Sequence, residues 1–74
     1  MKLNDIQEFI LKVMLEDGYY DNFEVLNKSF GHEDVDSSVD GLVTMGYVRI
    51  DNALCDYRKL SFLAKGRQFV AERF

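Results

Sequence analysis

Residues Asp36 to Asn52 read DSSVDGLVTMGYVRIDN, and the spacing of their apolar side chains changes part-way along. Up to Gly46 the period is helical, with Val35, Val39, Leu42 and Val43 at i, i+4, i+7 and i+8. Beyond Gly46 the period is two, and from Tyr47 to Asp51 the pair Val48 and Ile50 alternates with Tyr47 and Arg49. A period that switches at one glycine predicts a helix turning directly into a half-buried strand. If the four apolar residues point inward, the outward set is Asp36, Ser37, Ser38, Asp40, Gly41 and Thr44. That set contains no base, and HEDVDSSVD (His32 to Asp40) carries four acids.

The flanking segments fix what surrounds this junction. Ile6, Phe9, Ile10, Val13 and Met14 mark the buried face of a first helix, widened by Leu11 and Leu15. Asn4 and Gln7 have capping-box spacing at its start, and Asp17-Gly18 ends it. A second, short helix follows DNFE, where Asp21 and Glu24 repeat that spacing. It carries Phe23, Leu26 and Phe30 on one side, at spacing that places the phenylalanines in the core, and stops at Gly31. The third helix starts near Glu33 or Asp34, with Gly41 inside it at a cost of about 1 kcal/mol against alanine. DNAL (Asp51 to Leu54) reads as a turn, and Tyr57 to Phe62 as the return strand of a hairpin. In the last helix Phe62, Gly66, Phe69, Val70 and Arg73 share a face, and Gly66 there points to close backbone approach. The expected order is helix, helix, helix, strand, strand, helix, a mostly helical α+β domain covering residues 1–74.

Composition limits the function classes. With 74 residues there is room for one small domain. No apolar run approaches the roughly 18 residues of a membrane span, and the N-terminus has no signal-peptide pattern. The single cysteine, Cys55, cannot close an internal disulfide, so a cytoplasmic protein is expected. One histidine (His32) and one cysteine in different segments make a poor catalytic pair. Glu33 to Asp36 read as acids complementing a helix start, not as metal ligands. There is no glycine-rich phosphate loop. No enzyme, cofactor, metal or small-molecule substrate is therefore expected. The net charge is −4, unevenly spread. Residues 1–46 hold ten acids and three bases, net −7, and residues 47–74 hold six bases and three acids, net +3.

LVTMGYV (Leu42 to Val48), followed by YRKLSFLAKGRQFV (Tyr57 to Val70), resembles the winged helix-turn-helix superfamily. The first piece is similar to the passage from third helix to wing, the second to the return strand and closing helix. The likeness covers nearly the whole chain. It implies a winged fold and, for most members, DNA binding, with the third helix in the major groove and the hairpin along the backbone. Many members are dimeric transcription regulators, and others use the fold for protein contacts alone. The chain departs from the pattern in three places. Leu63 stands where the closing helix usually has threonine, leaving Ser61 as the nearer cap. The wing loop is short and holds Asp51 and Asp56. The third helix lacks the Arg, Lys, Gln and Asn that read bases.

Two expectations follow. In the first, a small DNA-binding regulator, as a dimer, holds phosphates of double-stranded DNA with Arg49, Arg58, Lys59, Lys65 and Arg67. Ser37, Ser38 and Thr44 then lie near the bases. In the second, a protein-interaction module or DNA-charge mimic, the acidic third helix meets a basic partner through Asp34, Asp36, Asp40 and Tyr47, without DNA. The frequency of DNA binding in the superfamily favours the first. The electrostatics favour the second, because phosphate neutralisation drives most nucleic-acid binding.

Overall fold

The computed structural model describes residues 3–51 and 58–74. Four helices, α1 (Asp5–Asp17), α2 (Phe23–Phe30), α3 (His32–Thr44) and α4 (Ala64–Arg73), surround three short strands, β1 (Tyr19–Tyr20), β2 (Val48–Ile50) and β3 (Leu60–Phe62). The strands form one antiparallel sheet in the order β1-β3-β2. The Cα radius of gyration, 11.3 Å, is that of a compact chain of this length, for which about 11 Å is expected.

The start of α1 is fixed as its sequence predicts. Asn4 Oδ1 accepts from the Gln7 N–H at 2.8 Å, and Gln7 Oε1 accepts from the Asn4 N–H at 3.0 Å. Both side chains then reach α3. Asn4 Nδ2 donates to Ser38 Oγ at 3.0 Å, Gln7 Nε2 donates to the Ser38 carbonyl at 3.1 Å, and Ser38 Oγ donates to the Asp34 carbonyl at 2.8 Å. One capping box therefore also sets how α1 and α3 meet.

The junction after α3 is a Schellman motif. Gly46 has φ 80°, its N–H donates to the Val43 carbonyl at 3.0 Å, and the Tyr47 N–H donates to the Leu42 carbonyl at 3.1 Å. Glycine takes this left-handed position without a Cβ penalty, which explains the switch of period at Gly46. α4 then packs back onto the turn. The Leu63 N–H donates to the Tyr47 carbonyl at 3.0 Å, and Gly66 lies so near that a Cβ would stand 1.9 Å from that oxygen. The close approach expected at Gly66 is present.

Ile10, Leu11 and Met14 of α1, Val35, Val39 and Leu42 of α3, and Val48, Leu60 and Val70 are fully buried in the core. Each such side chain contributes on the order of 1.5–3 kcal/mol of burial. Tyr20, Phe23 and Leu26 close the core beside α2.

Several expectations are corrected. A third strand, β1, is present, and its two tyrosines pair with β3, Tyr19 opposite Ser61 and Tyr20 opposite Leu60. α2 is capped by Asn22, not Asp21, and with no side-chain hydrogen bond. α3 begins at His32, slightly earlier than expected. Ser38 points inward and Val43 outward. At about 100° per residue they flank the arc of Val35, Val39 and Leu42 at equal distances, and α1 lies on the Ser38 side. Gly41, also expected outward, faces the Gln7 amide, which a Cβ would approach to 2.7 Å. Ile50, expected to share the burial of Val48, is exposed, as are Phe9 and Phe30, expected in the core. Ser61 does not cap α4. It lies in β3, where its Oγ donates to Asp51 Oδ2, and Leu63 is the cap residue. The rest of the expected turn, with Cys55, Asp56 and Tyr57, lies outside the described residues.

Candidate interaction surface

The solvent face of α3 carries Glu33, Asp36, Ser37, Asp40 and Thr44, all exposed, with Asp34 on its flank. Three apolar residues at helical spacing turn inward, so this acidic set must turn outward. Among the described residues, only Asp36 of this set has an ion pair. Its Oδ1 lies 3.0 Å from Arg58 Nη2. The Arg58 guanidinium also stands 4.5 Å from the Phe23 ring centroid, and its side chain is only 24% exposed. Arg58 thus links α2, α3 and the start of β3 and is largely withdrawn from solvent.

The other expected phosphate contacts divide into two groups. Arg49 is exposed, but its Nε lies 2.8 Å from Asp51 Oδ1, and Ser61 holds the other oxygen of that carboxylate. Lys59 stands 4.8 Å from the Tyr19 ring centroid and Lys65 5.5 Å from that of Tyr47. Arg67 is exposed on α4. Three cations, Lys59, Lys65 and Arg67, remain without a carboxylate partner among the described residues. If all three met phosphates, the salt slope of binding would be only about −3.

Two expected contact residues are not presented at all. Ser38 is 3% exposed, with its hydroxyl engaged by Asn4 and by the Asp34 carbonyl, so it cannot touch a base. Tyr47 is 9% exposed and its ring stacks on Phe69, with centroids 4.6 Å apart and planes at 14°. Strand alternation would turn Tyr47 outward. The strand begins at Val48, however, and Tyr47 still belongs to the turn that ends α3. Of the outward candidates on α3, Ser37, Thr44, Asp34, Asp36 and Asp40 are all accessible.

Sequence reasoning missed a neighbourhood beside this face. Asn4, Asp5, Ile6, Phe30, Asp34, Ser37 and Ser38 line a cavity of about 310 Å³. Phe30 was assigned to the core on its spacing and so was not considered as a contact. The same holds for Phe9, although it sits one residue, about 100°, from Ile10 at the centre of the α1 stripe. That offset alone does not mark a flank position, since Leu11 stands as far from Ile10 on the other side and is fully buried.

Among the described residues, no group of three or more His, Cys, Asp or Glu side chains is placed to hold a metal ion, and no helix is long and apolar enough to cross a membrane. Burial, and then the neighbouring charge of Asp21, raise the pKa of Tyr20, whose hydroxyl donates to the Asn22 carbonyl at 2.8 Å. No protein-family model matches this chain, and comparison with curated proteins and with solved structures finds no significant match.

Proposed function

We propose that the chain is a winged helix-turn-helix domain that docks on a basic protein partner through the solvent face of α3, instead of reading DNA with it. The element order α1-β1-α2-α3-β2-β3-α4 and a hairpin leaving α3 through a glycine turn support the winged reading. The observation that carries the docking reading is the exposed face of α3. It presents Glu33, Asp34, Asp36 and Asp40 and no base, and Arg58 is already spent on Asp36. Such a face would repel the phosphate backbone along the length a recognition helix inserts into the groove. It would attract a lysine- or arginine-rich surface and speed encounter with it.

The wild-type chain, immobilised, should recover a basic protein from a lysate of its source cells. An Asp36→Lys/Asp40→Lys chain of unchanged stability should not. Equal recovery by the double variant would reject α3 as the docking face.

The second reading, a DNA-binding regulator, draws on Lys59, Lys65 and Arg67, the cations of residues 58–74 that no carboxylate neutralises among the described residues. It differs in expecting Asp36→Lys to strengthen binding to duplex DNA.

A further inference from the structure

We propose that the seam between α1 and α2 is a second docking site, and that it takes an amphipathic helix of a protein partner with apolar residues in its middle and Lys or Arg at both ends. Among the described residues α1 packs chiefly against β1, α3 and α4, and α2 chiefly against α3, so the edge between α1 and α2 is lightly packed. Two cavities lie along that edge. At one end Asp5 and Ile6 of α1 face Phe30 at the end of α2, around about 310 Å³. At the other, Phe9, Val13 and Asp17 of α1 face Asn22 and Val25 at the start of α2, around about 290 Å³, with Tyr20 in the wall. The start of α1 therefore lies by the end of α2 and its end by the start of α2, so the two helices run antiparallel, with one cavity at each end of their seam.

The chemistry of the groove identifies its occupant. Each cavity has accessible apolar walls, with Phe30 42% exposed in one and Phe9 41% and Val25 55% exposed in the other. Phe9 and Tyr20 meet edge to face at 82°, which holds the Phe9 ring at the side of the groove. The ends are acidic, with Asp5 and Asp34 at one and Asp17 at the other, all exposed, and among the described residues no Lys or Arg lines either cavity. Asp17 stands in the last turn of α1, where the helix dipole favours a base and none is present. From Asp5 to Asp17 α1 rises about 18 Å, so a matching helix carries its bases about twelve residues apart with an apolar stripe between them. Asp34 is shared with the acidic face of α3, but Phe9, Val13, Asp17 and Val25 lie off that face, so this site goes beyond the α3 reading.

The test uses the full chain and three fluorescein-labelled sixteen-residue helical peptides. One has a leucine stripe with two lysines at each end. The second has glutamates in place of those lysines, and the third has serines in place of the leucines. By fluorescence anisotropy the first should bind at least about tenfold tighter than either of the others. Val25→Glu should weaken it about tenfold. Asp17→Lys, which favours the α1 dipole and so leaves the fold intact, should weaken it about three- to tenfold. Asp36→Lys/Asp40→Lys should leave it within about twofold. Equal binding of the lysine and glutamate peptides would overturn the proposal, as would full affinity in the Asp17→Lys chain. So would loss of binding on Asp36→Lys/Asp40→Lys, which would put the peptide on α3. Absence of peptide binding, together with self-association that Val25→Glu abolishes, would assign the groove to a second copy of the chain and overturn it too.

Discussion

A methyl group added at Gly66 would stand 1.9 Å from the Tyr47 carbonyl oxygen and 2.6 Å from its carbon, and neither backbone atom can yield without lifting α4 from the turn. Gly66→Ala should therefore cost about 3 kcal/mol or more, read as a lower urea midpoint at unchanged m-value. Gly41 is the contrasting case. There the methyl meets the Gln7 amide nitrogen, the end of a flexible side chain. The lost hydrogen bond and the gain in helix propensity are each worth about 1 kcal/mol, so Gly41→Ala should stay within about 1 kcal/mol of wild type. Equal losses at the two glycines would contradict both packing assignments. Only the first was legible in the sequence, because Gly66 falls on the apolar face of its helix. Gly41 looked like a simple interruption, since nothing local shows that Gln7, far away in the chain, comes to rest against it. Tyr20 gives a pH-dependent counterpart. Burial and then Asp21 raise its pKa above 10.0, so the native state holds the phenolic proton more tightly than the unfolded chain. That contribution is whole below pH about 10 and is lost as pH rises through the folded value. Between pH about 9 and 11 the Tm of Tyr20→Phe should fall less steeply than that of wild type, and parallel curves would contradict the assignment.

At the scale of elements, α3 and the hairpin are joined by Arg58, which touches Asp36 on one side and Phe23 on the other. Such an ion pair at a partly exposed site is worth on the order of 0.5 kcal/mol, and the ring contact on the order of 0.5–1 kcal/mol more. A double-mutant cycle of Arg58→Ala and Asp36→Ala should give a coupling of about 0.5 kcal/mol by chemical denaturation, and strict additivity would show that the pair is not formed in solution. With Arg58 and Arg49 paired, the hairpin would offer phosphates less than its base count suggests. The helix-to-strand junction was legible because a change of period and a glycine coincide at Gly46. β1 was not, because two residues show no period and its partner β3 lies far along the chain. The facing of α3 was legible at Val35, Val39 and Leu42 but undecided at its margins. Ser38 and Val43 flank the stripe symmetrically, and only the position of α1 separates them.

Over the whole molecule, charge and fold point in different directions. The resemblance to winged helix-turn-helix domains carries an expectation of DNA binding. Yet residues 1–46, which include α3, have a net charge of −7, and the bases of residues 47–74 number only six. Arg49, Arg58 and Arg73 of those six are paired with Asp51, Asp36 and Glu8. Lys59, Lys65 and Arg67 remain, set against the acidic face of α3 and the acids at both ends of the α1–α2 seam, the two surfaces proposed to meet basic partners. The most direct test is a titration of a labelled mixed-sequence duplex with the full chain at about 50 mM salt, where non-specific phosphate binding is strongest. With α3 as a protein-docking face, no saturable binding should appear at tens of micromolar protein, and Asp36→Lys/Asp40→Lys should create some. Saturable binding by the wild-type chain that weakens steeply with salt and disappears on Arg49→Glu would contradict it.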